Sequence, residues 1–362
     1  QGGSTGFDQY MSACLYTPGL GYYSAGSRKF GRDGDFITAP ELSPLFSRCL
    51  AGQCADVLQE LGGGIVLELG AGSGIMARDM LLAMESENVL LDEYWILEVS
   101  TDLKQRQQDL ITTSIPHLAP RVKWLNELPA RPFRGVVVAN EVLDALPVKR
   151  FCKQGGENFE QKVMLNGSDF VFTLTPADED LLSAIKLIES GLSLPWPDQF
   201  VSEINTGLSG WLSSLVNKLE QGVVLLIDYG YSQTEFYHPE RFDGTLLCHY
   251  RHHVHADPFF YPGLQDITAS VDFTALAEAA HDAGLDVRGY SSQMYFLLAC
   301  GLEQQMNDIR ANDLKTQTAL ASQVRQLTLP EEMGERFKVM ALSRNYEKPL
   351  RGFSIMDQRG RL

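Results

Sequence analysis

From residue 65 onward, short apolar runs alternate with helical stretches, and this alternation limits the possible folds more than any other feature. IVLEL (65–69) runs into a glycine turn and a helical stretch over 75–86. YWILEV (94–99) precedes a polar helix over 101–113, and VKWL (122–125), GVVVAN (135–140) and GVVLLIDYG (222–230) follow. Runs this apolar suit strands covered on both faces, and strands separated by helices pair in parallel. The pattern predicts an α/β, doubly wound architecture: a mainly parallel twisted sheet with helices on both faces. Ligands in such sheets bind beyond the carboxyl ends of the strands.

Three stretches interrupt or flank the rhythm. A helix is expected over 44–61, with Ser43 as cap, Pro44 in the first position, an apolar stripe from Phe46 to Leu61, and Gly62 as stop. The preceding segment 7–42 is rich in Gly, Tyr and Pro and reads as a folded-over loop region. Residues 151–175 have period-two character with turns at GGEN and NGSD, which predicts a β-ribbon insertion. Residues 291–336 read as a helical insertion before a closing strand at FKVMALSR (337–344). The expected organisation is one catalytic domain with insertions. It comprises a lid segment and helix (1–62), the first part of the core (63–150), a β-ribbon and helical insertion (151–200), a core continuation with a substrate-side loop (201–290), the helical insertion (291–336) and the closing strand (337–362).

At 362 residues, 44% hydrophobic and 21% charged, the chain can bury a sizeable core. No apolar run is long enough to cross a bilayer, so no membrane insertion is expected. The opening QGGSTGF lacks the basic and then apolar regions of a signal peptide and reads as a cut or tagged end. Six scattered cysteines form no CxxC pair and point to reduced thiols. Forty-six acids against thirty bases give −16, which argues against nucleic acid. The same surface would attract a basic substrate, although solubility is the commoner reason for it.

VLELGAGSG (66–74) carries the strongest chemical signal. Glu68 ends a strand, and Gly70, Gly72 and Gly74 space a tight turn into a helix. Dinucleotide enzymes usually carry GxGxxG, with pyrophosphate on the helix N-terminus. Here position 75 is Ile, and an acid precedes the first glycine by two residues. That carboxylate suits the cationic amino acid end of S-adenosylmethionine better than a pyrophosphate. Glu98, at the end of the next strand, can accept both ribose hydroxyls. The alternatives are a dinucleotide, or a glycine turn with no cofactor.

At this point the chain resembles the MidA family of class I, Rossmann-like methyltransferases. The resemblance rests on LYTPGLGYYSAG (15–26), KFGRDGDFITAPELSPLF (29–46), LELGAGSGIMARD (67–79), ANEVLDALPVKRF (139–151), LLIDYG (225–230) and HYRHHVHADPFFYPGLQDITASVDF (249–273). It implies transfer of methyl from S-adenosylmethionine to an arginine of a protein, a respiratory complex I subunit in mitochondrial members. It also implies a bacterial cytoplasm or a mitochondrial matrix as the setting. The rival functions are a methyltransferase acting on a small molecule or another nucleophile, and an assembly chaperone that binds cofactor without turnover.

On the substrate side, Asn140-Glu141-Val142-Leu143-Asp144 follows the fourth strand. An arginine is a permanently charged fork of donors, and two carboxylates can hold its unreactive nitrogens. Glu141 and Asp144 would share a side if they sat on a helical turn. Helix capping is the competing use of Asn140 and Asp144. Asp228 ends the fifth strand at the ligand edge, while Asp266 either caps the helix near Val271 or reaches the site. His252 and His253 lie in a histidine-rich stretch expected to be a substrate-facing loop, with either ring as hydrogen-bond partner or proton acceptor. Without metal-site spacing or a cysteine pair, no metal is expected there. By the resemblance, GDFITAPE (34–41) folds over the cofactor with Thr38 and Glu41 near its methionine end; a purely structural hairpin is the alternative. Tyr22 and Tyr23 read as core or lid aromatics.

Overall fold

The computed structural model describes residues 3–24, 37–89, 91–308 and 314–362. They fall into two compact units, one drawn from 1–27, 143–211 and 230–276, the other from 28–142, 212–229 and 277–362.

The second unit is built on the sheet foreshadowed by the apolar runs. Its strands are β1 (Ile65–Leu69), β2 (Glu93–Leu97), β3 (Val122–Leu125), β4 (Phe133–Asn140), β5 (Leu219–Tyr231), β6 (Asp286–Ser292) and β7 (Phe337–Arg344). Their order is β6-β7-β5-β4-β1-β2-β3. β1 to β5 pair in parallel, and β7 inserts antiparallel between β5 and β6. This is the class I methyltransferase topology. Gly135 and Gly222 begin the apolar parts of β4 and β5, with φ of 148° and 144°. A Cβ on Gly135 would lie 1.9 Å from the Ile65 carbonyl oxygen, and one on Gly222 1.8 Å from that of Gly135. Only glycine fits where three backbones approach this closely.

Helix Pro44–Leu61 covers one sheet face. Ser43 accepts from the Leu45 N–H, Pro44 takes the first position, and Gly62 ends the helix in the left-handed region at φ 72°. Its stripe of Phe46, Leu50, Cys54, Val57 and Leu58 shares one core with Val66, Tyr94, Ile96, Val136 and Val138. Residues 291–292 complete β6, and the helices Gln293–Ala299, Leu302–Asp308 and Leu314–Thr328 follow.

In the first unit, the 149–176 stretch is an antiparallel meander of strands Lys149–Gln154, Glu157–Asn166 and Asp169–Pro176, extended by Phe200–Ile204. Phe151, Leu181, Ile185, Trp196, Phe200 and Tyr237 form its core. Two expectations change here. Residues Phe7–Tyr16 form a helix rather than a loop, because Phe7, Met11 and Leu15 recur every four residues and are fully buried. The glycines and proline that suggested a loop come after Tyr16. The 249–255 stretch is also not a loop: Leu247–Tyr250 and His253–His255 are paired strands, with Asp266–Thr268 on the other side. All six cysteines are free and buried. Among the described residues no helix is long and apolar enough to cross a membrane.

Candidate active site

The carboxyl edge of the second unit's sheet collects the glycine turn and four acids, Glu68, Glu98, Glu141 and Asp228. Gly70 N–H donates to Leu97 O, Glu98 N–H to Leu125 O and Glu141 N–H to Ile227 O, so the strand ends are tied in register. Gly70, Gly72 and Gly74 have φ of 64°, 52° and 85°, which is why each must be glycine. Gly74 caps the helix Ile75–Ser86.

Glu68 is buried under this turn. One carboxylate oxygen accepts from the Tyr94 hydroxyl at 2.6 Å, and the other, Oε1, has no hydrogen-bond partner among the described residues. Burial raises its pKa from 4.5 to about 7, with Tyr94 opposing the rise and Glu98 adding to it. A buried carboxylate with an unused oxygen, held beside a turn with open backbone, matches a cationic ligand group and would repel a diphosphate. The donor set therefore fits S-adenosylmethionine.

Glu98 lies one residue beyond β2 and is buried. Ser100 N–H donates to its Oε1 and Gln107 Nε2 to its Oε2, both at 2.9 Å, which fixes the plane of the carboxylate. Gln107 also donates to Gly72 O at 2.9 Å and accepts from Trp124 Nε1 at 3.1 Å. It joins the glycine turn to Glu98, a role invisible in the residues alone because a glutamine on a polar helix looks solvent-facing. Glu41 accepts from the Ser73 hydroxyl, which brings the segment at 37–42 onto the glycine turn. Thr38 is buried at the N-cap of the short helix Ala39–Leu42. The rest of the expected GDFITAPE segment, 34–36, lies outside the described residues.

Asn140 and Glu141 close β4. Asn140 Nδ2 donates to Glu141 Oε1 at 3.0 Å, and Asn140 Oδ1 is buried without a partner among the described residues. Glu141 has φ of 54°, unusual for a residue with a side chain. Residues 141–144 are not helical, so the expected helical turn that would align Glu141 with Asp144 does not form. Asp228 carries the chain past this point. It is fully buried and accepts from Val142 N–H at 3.2 Å and Tyr229 N–H at 2.9 Å.

In the first unit, Asp144 is buried and its carbonyl accepts from Ala269 N–H. Asp266 is buried in a strand and does not cap a helix; Asp272 does, accepting from Thr274 and Ala275 N–H. Asp266 accepts instead from the Tyr23 hydroxyl at 3.0 Å. Tyr23 stacks on Tyr16, ring centroids 5.7 Å apart, and the Tyr16 hydroxyl donates to Ala145 O. Burial chiefly, then the negative charges of Asp266 and Asp144, holds both phenols well above their ordinary pKa. Sequence reasoning thus missed Tyr16 and left Asp266 undecided. His252 is exposed with φ of 63° and, with Arg251 at 48°, makes the two-residue turn of a hairpin; exposed His253 begins the next strand. Among the described residues no group of three or more metal-ligating side chains is assembled.

Comparison with known proteins agrees with this geometry. Residues 49–291 match the family described as "Putative S-adenosyl-L-methionine-dependent methyltransferase". A crystal structure from Burkholderia thailandensis bound to S-adenosyl-homocysteine is 42% identical, covers 99% of this chain and 93% of its own, and superposes with a TM-score of 0.94. Two relatives are 28% identical. "Protein arginine methyltransferase NDUFAF7 homolog, mitochondrial" of Caenorhabditis elegans matches over 97% of this chain and 84% of its own length. "Protein arginine methyltransferase NDUFAF7, mitochondrial" of Danio rerio matches over 92% and 82%. The glycine turn, its buried acids and these matches make the chain a member of the S-adenosyl-L-methionine-dependent methyltransferase family.

Proposed function

We propose that the chain methylates a guanidinium nitrogen of an arginine on a protein, and that a respiratory complex I subunit is the substrate. The observation that carries this reading is the similarity, over most of their length, to relatives named as protein arginine methyltransferases. Supporting it, the stretch after β4 supplies two carboxylates, Glu141 and the buried Asp144. Beyond Asp144, Leu146 and Pro147 line a cavity of about 650 Å³ with Tyr16 and Trp211, roomy enough for peptide side chains. The compartment follows the host: mitochondrial matrix in a eukaryote, cytoplasm in a bacterium.

In this reading Glu68 holds the cationic amino acid end of the cofactor, and Glu98, oriented by Gln107 and Ser100, takes the ribose hydroxyls. Glu41 and Thr38 close over the methionine end, and Asn140 lines the same edge. Bound there, the cofactor supplies an electrophilic methyl on a sulfonium. Glu141 and Asp144 accept the donors of the unreactive guanidinium nitrogens, which fixes the fork and aims the third nitrogen. S-adenosylmethionine held by Glu68 and Glu98 would give its methyl to that nitrogen in one displacement, with S-adenosylhomocysteine as the leaving group, and the nitrogen would then lose one proton. Because that loss follows transfer, no strong base is required. His252 or His253 accepts the proton. Asp228 acts by tying the Val142 and Tyr229 backbone in place.

The test is a radiolabel transfer assay on the host's complex I subunits, with methylarginines mapped by mass spectrometry. Wild type should label one arginine, and Asp144→Ala should lower kcat at least tenfold while S-adenosylhomocysteine still binds. Equal labelling by both proteins would remove Asp144 from the mechanism. Cofactor binding without any methylarginine would overturn the substrate assignment.

A further inference from the structure

A recess on one face of the second unit's sheet, beside β2 and β3, is lined by none of the acids of the glycine-turn site. Residues 126–132 link β3 to β4 with neither helix nor strand. In a doubly wound sheet a crossover normally brings a helix onto one face. Here the face bearing Trp95, Lys123 and Leu125 stays partly open; Trp95 and Lys123 are register partners, and Leu125 follows two residues on. The result is a cavity of about 490 Å³ with these side chains as its floor and Pro129, Arg131 and Arg134 as its wall.

Its charge runs against that of the whole chain. Acids outnumber bases 46 to 30 overall, yet the lining holds three cations and one carboxylate, Asp92. Lys123 is paired with Glu93, which also accepts from Trp95 Nε1 at 2.7 Å. Arg131 and Arg134 are exposed and make no ion pair or side-chain hydrogen bond among the described residues. Two uncommitted guanidinium forks stand beside a floor that includes an indole and a leucine.

We infer that this recess docks a short acidic segment of a partner protein, its carboxylates on Arg131 and Arg134 and an apolar side chain on the Trp95–Leu125 floor. Guanidinium planes match carboxylates two bonds at a time. A free phosphate would leave the apolar floor uncovered. A nucleic acid, charged at every nucleotide, would meet the field of a chain carrying −16 along its whole length, whereas a short segment sets its few carboxylates on the two arginines. A short acidic stretch on a partner of mixed charge satisfies both the floor and the wall.

Selection of displayed random peptides against the full chain tests this. Wild type should enrich sequences with acids flanking an aromatic or leucine. A soluble enriched peptide should then bind the Arg131→Glu/Arg134→Glu double variant at least tenfold more weakly, and the tryptophan fluorescence change it causes in wild type should be lost in Trp95→Phe. S-adenosylhomocysteine affinity and melting temperature should match wild type in that variant, which separates loss of docking from loss of fold. The proposal fails if enriched peptides lack acids, if the double variant selects the same peptides, or if no peptide is enriched. It also fails if inorganic phosphate or a short RNA binds the site at micromolar concentration in place of peptide.

Discussion

Glu68 offers the most searching test of the proposed cofactor site, because its burial makes the protein pH-sensitive. The native carboxyl binds its proton up to pH about 7, whereas the unfolded chain releases it at 4.5. Between those values the native state holds more protons than the unfolded state, so stability falls as pH rises. At about 1.4 kcal/mol per pH unit, that interval costs the protein about 3 kcal/mol, fully felt above pH 7 and absent below 4.5. Glu68→Gln removes the titration while keeping an oxygen for the Tyr94 hydroxyl. Urea unfolding from pH 5 to 8 should show the variant gaining about 2–3 kcal/mol on wild type as pH rises. Other carboxylates titrate in both proteins, so the difference isolates this one. A cationic ligand group reverses the preference, since it favours the ionised form. Cofactor affinity in wild type should therefore rise as pH climbs towards 7 and then level, with proton release visible by calorimetry in buffers of different ionisation enthalpy. In Glu68→Gln the affinity should be weaker and flat. Parallel stability curves, or a variant that binds the cofactor with the wild-type pH profile, would refute the argument.

Other expectations follow from neighbouring contacts. Gly74→Ala would place a Cβ 3.2 Å from the Gln107 side chain in a left-handed conformation, so it should lose about 1–2 kcal/mol and weaken S-adenosylhomocysteine binding, read by calorimetry. Gln107→Leu takes the Gln107 donor from Glu98 Oε2 and removes the side-chain partner of the Gly72 carbonyl and the Trp124 indole; a stability loss of about 2–3 kcal/mol should accompany at least a tenfold drop in cofactor affinity. Ser43→Ala removes the cap of helix Pro44–Leu61 and should cost about 1 kcal/mol in chemical denaturation, with cofactor affinity unchanged.

Much of this was legible in the residues because it is local. The helix Pro44–Leu61 is written in its own cap, stripe and stop, and β1, β4 and β5 hold apolar runs that no exposed element would carry. The glycines reveal themselves for a similar reason, since a left-handed turn between strand and helix accepts almost no other residue, and Glu68 stands out as the one acid in an apolar strand. What the sequence could not display were partnerships across distance. Gln107 is ordinary on its helix and becomes important only because parallel pairing of β1 with β2 sets Gly72 and Glu98 on either side of it. Asp266 and Asp272 look alike in sequence, and only the folded chain decides which caps a helix and which meets Tyr23. Glu141 and Asp144, three apart, suggested a helical turn. The strand end ties Glu141 N–H to Ile227 O and the turn never forms. Periodicity and turn chemistry are properties of neighbours along the chain, so composition and spacing encode them. The orientation of a buried carboxylate depends on which donors the sheet register brings to it, and that register exists only once the whole core has closed.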